Sequence, residues 1–284
     1  MAAIAEKGVL YMLTGTAHAA QLAVSLRSLR RHWQGAVAIV AGCAESHELA
    51  VKIAGDAAAG SVVVVRWDAP RQRNAGYANK SELPRLSPFR RTVFLDADTL
   101  VVGDIKPVFP VDERQLVITQ FYNWLSTGRK MRKRIEAWRG VAPVEVERML
   151  AKDWPAINTG VIGFGREAPF TLRWRELCQR RLCFICDELA MQLLFPDFET
   201  AVLPSNFNAS PTYCQESWRV PGDKSAVIWH GHGSRFVRDA GSGFGPRLWM
   251  PEYRAAIADN FGGLADWSPA GDKSLAEYLQ KHGG

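Results

Sequence analysis

The sequence predicts an α/β fold: a mostly parallel central sheet flanked by helices. Two patterns carry that prediction. Short apolar runs alternate with segments of helical period through the first third of the chain, as right-handed βαβ units require. The runs are apolar throughout rather than alternating with polar residues, which marks strands buried on both faces. The composition agrees. Of 284 residues, 47% are apolar and 23% charged, which excludes a disordered or collagen-like chain and leaves enough apolar mass for a sizeable core.

Taken in order, residues 9–13 form the first buried strand. Residues 17–32 read as a helix with Leu22, Leu26 and Leu29 at helical spacing, and with Arg27, Arg30, Arg31 and His32 at its C-terminal end, where cations suit the helix dipole. A strand follows at 36–40, a helix at 46–53, and strands at 62–65 and 92–95. The second half is less regular. Strands are expected at 115–119 and 157–164, with a basic helical stretch at 129–139 between them. Residues 169–181 read as a helix, and Asp187 as the N-cap of another running to Phe195. A last strand at 226–229 ends at His230; a Gly-rich stretch (Gly241, Gly243, Gly245) and a helix near 253–259 follow. No internal repeat and no linker divides the chain.

Residues 8–26 carry no formal charge, and Ala17-His18-Ala19 imitates a signal-peptidase site. Glu6 and Lys7 precede it, however, and Thr14-Gly15-Thr16 breaks an apolar core too short for a signal sequence or a membrane span. A cytoplasmic location is expected, with association at the inner membrane face as the variant. The five cysteines (Cys43, Cys178, Cys183, Cys186, Cys214) make a poor disulfide framework. The spacing of Cys178, Cys183 and Cys186 imitates an iron–sulfur pattern, but it falls on a helix running into a cap, so buried, inert thiols are expected.

The sharpest motif is Phe94-Leu95-Asp96-Ala97-Asp98-Thr99-Leu100. A buried strand delivers two carboxylates at its C-terminal edge, where open α/β sheets bind ligands. In extended chain, positions i and i+2 point the same way, so both can converge on one hard cation, and such a cation can bridge them to a diphosphate. Solvated loop aspartates are the plain alternative. The motif also resembles the first motif of haloacid-dehalogenase-type phosphatases, with Asp96 as nucleophile and Asp98 as general acid. That reading expects the motif near the start of the fold and a late acidic pair, and neither is found.

The segment from Asn79 to Asp104, containing Lys80 and Asp96-Ala97-Asp98, resembles the donor-site segment of GT-A glycosyltransferases. More narrowly, it is similar to glycosyltransferase family 8, the glycogenin and bacterial lipopolysaccharide galactosyltransferase group. Leu13-Thr14, Asn158-Thr159-Gly160-Val161, Asp187-Glu188 and Trp229-His230 extend the resemblance in the same order over residues 8–236. It implies a GT-A (Rossmann-like) domain over 1–236, with a donor-binding half at 1–105 and an acceptor and catalytic half at 106–236. Residues 237–284 would be a C-terminal extension of unassigned role.

The resemblance further implies a metal-dependent transfer from a UDP-sugar, or another nucleotide-diphosphate sugar, to an acceptor hydroxyl with retention; the acceptor is left open among a lipopolysaccharide core, another glycan, a protein or a small molecule. Asp96, Asp98 and His230 would hold Mn²⁺ or Mg²⁺, His232 being the rival to His230; an imidazole among oxygens favours Mn²⁺. Thr14 and Thr16 would face the nucleoside, Lys80 and Arg235 the diphosphate, and Asn158 with Gly160 the donor sugar. Asp187 and Glu188, matching the family's Asp-Gln or Asp-Glu pair, would stand beside the anomeric carbon, where glycogenin-type members carry Gln at the second position. A degenerate sugar-nucleotide sensor or nucleic-acid-binding protein is the non-enzymatic alternative.

The net charge of +6 divides accordingly. Lys80 and Arg235 account for part of it. Much of the rest lies in Arg129-Lys-Met-Arg-Lys-Arg134, near Phe121, Tyr122, Trp124 and Trp138. That helix suits an anionic acceptor, a membrane surface, a nucleic acid or a solvated face; with the phosphate-bearing donor in view, nucleic acid ranks last.

Overall fold

The computed structural model describes residues 5–56, 61–70, 74–213, 219–220, 224–232, 245–266 and 273–282. Its principal strands are β1 (Ala5–Leu13), β2 (Ala36–Ala41), β3 (Val62–Arg66), β4 (Phe89–Leu95), β5 (Thr99–Val101), β6 (Leu116–Leu125), β7 (Pro155–Gly165) and β8 (Thr200–Leu203). Seven of them form one sheet in the order β3-β2-β1-β4-β7-β6-β8. Every pairing is parallel except those of β7, which runs against both β4 and β6. The predicted mostly parallel α/β sheet is what the chain forms.

Side-chain alternation along these strands feeds two cores. On one face Val9, Tyr11, Val37, Ile39, Val93 and Leu95 pack with Leu22, Leu26 and Leu29 of α1 (Ala19–Arg30) and Ile53 of α2 (Ala44–Asp56). On the other, Leu10, Ala38, Val40 and Phe94 meet a helical layer. That layer contains α5 (Arg129–Glu136), α6 (Pro143–Leu150), α7 (Phe170–Arg180) and α8 (Cys186–Leu194). The shorter α3 (Ala75–Asn79) and α4 (Leu83–Leu86) flank a single 3₁₀ turn beginning at Lys80. A sheet covered on both sides has no solvent face, which is why its strands read as continuous apolar runs.

Expected elements recur with shifted ends, and α3, α4, α6, β5, β8 and a helix at Lys273–His282 are among the additions. One expectation is corrected: Asp187 is not the N-cap of its helix. Ile185, in the left-handed region at φ 54°, precedes the first turn, and Asp187 lies inside α8. Its carboxylate is engaged elsewhere, as described below. A small second sheet pairs β5 antiparallel with a strand at Ile228–His230, setting His230 opposite Thr99.

The segment after the expected domain contributes helix α9 (Met250–Ala258), which lies on α1. Trp249, Met250, Tyr253, Ala256 and Phe261 join the first core, while Glu252 accepts from both Arg27 and Arg31. Cys43, Cys178 and Cys186 are buried free thiols and Cys183 is half-buried; Cys214 lies outside the described residues. Among the described residues no helix is long and apolar enough to cross a membrane.

Candidate active site

The carboxyl ends of β1 and β4 lie side by side, but the chain leaves β1 towards β2 and β3, whereas β4 sits on the opposite side of β1. Strand order reverses there, which opens the crevice in which α/β sheets bind ligands. A cavity of about 930 Å³ occupies it. Thr14 lines it from the end of β1, Asp96 and Asp98 from the end of β4, and Asn158 and Thr159 from β7. Lys80, Asp187, Glu188, Arg134 and His230 complete the polar wall.

Backbone hydrogen bonds hold the two aspartates in place. The Asp96 N–H donates to the Gly160 carbonyl over 2.8 Å, and the Asp96 carbonyl accepts from the Thr99 N–H and its hydroxyl. The β5 pairing then carries His230 to the same point, and the Gly231 N–H donates to the Asp98 carbonyl. His230 Nε2 lies 3.3 Å from Asp98 Oδ1 and 3.5 Å from Asp96 Oδ2. One ligand atom from each of the three residues lies within 4.8 Å of the others.

The orientation of His230 is fixed from behind. Asn208 Oδ1 accepts from Nδ1 over 2.9 Å, which turns Nε2 towards the carboxylates, the orientation that metal-ligating imidazoles require. Asn208 in turn donates to Asn158 Oδ1 and to Thr119 Oγ1. Asn158 donates through Nδ2 to Glu188 Oε2 over 2.7 Å. A continuous polar chain therefore runs from His230 through Asn208 and Asn158 to Glu188.

Lys80 Nζ stands 2.7 Å from Asp96 Oδ2 and 3.4 Å from Asp187 Oδ2. Thr159 also donates to Asp187 Oδ2, over 2.7 Å. Asp187 Oδ1 is buried with no hydrogen-bond partner among the described residues, an acceptor turned to no protein donor at a cavity wall. Glu188 Oε1 faces Arg134 Nη1 at 3.7 Å.

Burial and charge set the protonation of these groups. Burial drives the Glu188 carboxyl up, the neighbouring Asp187 adds to it, and Arg134, Asn158 and Lys80 counter only in part, leaving a pKa of about 7. Burial also raises Asp96, against the pull of Lys80. For Lys80, burial favours the neutral amine but Asp96 and Asp187 outweigh it, so the ammonium is held. For His230, burial lowers the pKa and Asp98 and Asp96 more than reverse that. Asp96, Asp98 and Asp187 gather around Lys80 while Arg134 is set against Glu188, and a divalent cation would relieve the crowding of the Asp96 and Asp98 carboxylates.

Most of the expected residues converge here. Thr16 instead lines an adjoining recess with Gly15, Cys43 and Glu45. Gly160 does not line the cavity; it lies under the imidazole. Between the two histidines, His230 joins the carboxylate group, while His232 lines the cavity with its ring 4.1 Å from that of His230. Arg235 lies outside the described residues. Asn208 gave no sequence signal, because its importance comes from a contact across 22 residues with His230. Arg134 was visible only as one charge in a basic run.

No protein-family model and no curated protein matches the chain. Among solved structures it is similar to the galactosyltransferase LgtC in complex with donor and acceptor sugar analogues, with a TM-score of 0.60, 15% identity, 87% of this chain covered and 95% of that one. The fold is GT-A. An active-site glutamine-to-glutamate mutant of LgtC matches over the same shares with a TM-score of 0.59 and 15% identity. Mouse xyloside xylosyltransferase 1 matches at 0.52 and 15%, covering 81% of this chain and 98% of that one. GlyE of Streptococcus pneumoniae TIGR4 matches at 0.55 and 16%, covering 97% and 64%. In the GT-A sheet of this chain, the aspartate pair follows the strand at the switch point.

Proposed function

We propose that the protein is a metal-dependent glycosyltransferase that moves a sugar from a UDP-sugar, or a related nucleotide-diphosphate sugar, to an acceptor hydroxyl with retention. The observation that carries this reading is the convergence of Asp96, Asp98 and His230 at the switch point, facing Lys80, Asp187 and Glu188 across one cavity. Two carboxylates and an imidazole whose other nitrogen is already hydrogen-bonded fit a divalent ion, and the mixed oxygen and nitrogen set favours Mn²⁺ over Mg²⁺. Bound there, the ion supplies positive charge to the diphosphate as it departs.

The chain's own groups would do the remainder. Thr14 borders the nucleoside end at the tip of β1. Lys80 places a compact ammonium among the carboxylates, where it can shift its hydrogen bonds to phosphate oxygens. Asp187, at the cavity wall, would stand beside the donor sugar. Asn158 holds the Glu188 carboxylate by one oxygen, so that the other stays turned towards Arg134 and the cavity. A carboxylate there stabilises positive charge developing at an anomeric carbon. LgtC is a galactosyltransferase whose complex holds donor and acceptor sugar analogues, and the GT-A likeness supports a sugar donor and a sugar acceptor here; a lipopolysaccharide-type glycan is one acceptor consistent with that. The inner membrane face suits such an acceptor.

The phosphatase reading needs the paired aspartates near the start of its fold; here three strands precede them, and the third convergent group is a histidine. The deciding experiment is thermal stabilisation by UDP and by UDP-sugars with and without Mn²⁺, followed by UDP release. Mn²⁺-dependent stabilisation and UDP release are expected. Phosphate release from a generic monoester without nucleotide-sugar turnover overturns the assignment.

A further inference from the structure

The cavity has a wall that donor chemistry leaves unused. Strand β6 departs from regular pairing between Gln120, opposite Ile157, and Leu125, opposite Pro155, so the intervening residues bulge out of the sheet. Tyr122, at φ 52°, marks the bend. In a regular strand, positions 121 and 124 face opposite ways. The bulge turns both Phe121 and Trp124 into the cavity wall, edge to face with ring centroids 5.2 Å apart.

Helix α5 follows directly. Met131 and Ile135 anchor it in the core, and Lys130 and Arg134, one turn apart, share a neighbouring face. Lys130 Nζ stands 5.2 Å from the Trp124 ring centroid. Arg134 lines the cavity. Its contact with Glu188, at 3.7 Å, exceeds hydrogen-bond length, and its other contact is a long one to Met131 Sδ. Most of its guanidinium donors are therefore unspent on the described residues. Arg132, by contrast, pairs with Glu136 along the helix, as an ordinary solvated face does. Lys130 has no carboxylate within 4 Å among the described residues. Arg134, Phe121 and Trp124 thus share a cavity of about 930 Å³, and Lys130 stands over the Trp124 ring at its edge.

We propose that this wall is an acceptor subsite for a saccharide bearing an anionic group, a carboxylate or a phosphate. Lys130 and Arg134 hold the anion, while Phe121 and Trp124 take the apolar face of the ring. The assignment rests on the glycosyltransferase reading, for which it names the class of acceptor. It explains why Arg134 of the basic run reaches the cavity with Lys130 one turn away, and why a strand is bulged to bring two rings beside them.

The test uses the full chain with UDP and Mn²⁺ present and measures, by calorimetry or ligand-observed NMR, the binding of methyl glucoside, methyl glucuronide and glucose 6-phosphate. At least one anionic sugar should bind about tenfold or more tightly than the neutral one, the scale of a charge-assisted hydrogen bond. Comparing glucuronide with the phosphate separates the two anion types. The preference should collapse in Lys130→Gln/Arg134→Gln, weaken in Lys130→Gln alone, whose exposed position leaves folding intact, and persist in part in Arg134→Lys. Equal binding of neutral and anionic sugars, or a preference untouched by the double substitution, overturns the subsite. So does binding of anionic vesicles or single-stranded RNA through these residues without any sugar preference. UDP binding with Mn²⁺, read in the same samples, reports separately on the parent reading: its loss removes the glycosyltransferase, whereas its presence without sugar preference removes only the subsite.

Discussion

A Cβ on Gly160 would lie 2.1 Å from Cε1 of His230. The absence of a side chain at 160 is what admits the imidazole to the aspartate pair, while the Gly160 carbonyl holds the Asp96 N–H from the same side. Gly160→Ala must push the ring away from Asp96 and Asp98 or shift β7. The expected outcome is a folded protein, destabilised by about 1–3 kcal/mol as for other overpacked cores, that has lost most of its stabilisation by Mn²⁺. Thermal melts with and without Mn²⁺ and UDP check this; a wild-type response to Mn²⁺ would show that the imidazole is not a ligand.

Glu188 makes a pH prediction. Its folded-state pKa is about 7 against an ordinary value of 4.5. Folding therefore takes up a proton between these values, so the group's contribution to stability is complete below pH 4.5 and falls as pH rises through 7. Glu188→Gln removes that penalty: at pH 8 it should be more stable than wild type by at most about 3 kcal/mol, and at pH 4 no more stable. Turnover should move oppositely. Wild-type activity should rise through pH 7 as the carboxylate ionises, and the Gln variant should be slower with a flat profile over that range. Equal rates with unchanged product would remove the carboxylate from the chemistry.

Asn208 acts through His230 rather than on a ligand. Without its amide, the Nδ1 proton has no partner and the ring can turn. Asn208→Ala should weaken Mn²⁺ binding by roughly 10- to 100-fold, the usual effect of losing such a support. It should also cost about 1–3 kcal/mol through the buried polar groups left unmatched. Mn²⁺ titration followed by electron paramagnetic resonance measures the first and urea unfolding the second. A stability loss without a change in Mn²⁺ affinity would make Asn208 purely structural.

How much of this was legible follows from the range of the interactions. The strands around Val9, Ile39 and Val93 were readable because a sheet covered on both faces writes itself as local apolar runs. Asp96 and Asp98 were readable because strand periodicity alone aims them together. The bulge at Tyr122 was hidden: the pairing shift between Gln120 and Leu125 is a relation between two strands, and no local residue pattern announces it. Asn208 was hidden for the same reason. Asp187 misled because an acidic residue at a helix start has the same letters whether it caps the helix or, as here, accepts from Thr159 and Lys80.

Helix α9 gives the final prediction, by separating packing from charge. Trp249 and Tyr253 stack at 4.9 Å with their planes 14° apart, and Trp249 is only 2% exposed. Glu252, beside them, binds Arg27 and Arg31 at the edge of α1, with side chains still 21–44% exposed. Burial should outweigh the ion pairs, because water already solvates the charges and salt screens them. Trp249→Ala should cost about 3–5 kcal/mol through the cavity it leaves, and Glu252→Gln no more than about 1 kcal/mol. Urea unfolding of both variants at low and high salt decides the matter. A Trp249→Ala cost near that of Glu252→Gln would mean that α9 merely rests on the domain. The expected large difference makes it part of the core beneath β1 and β4, so that cutting the chain before Trp249 also loosens the strands that carry Thr14 and Asp96.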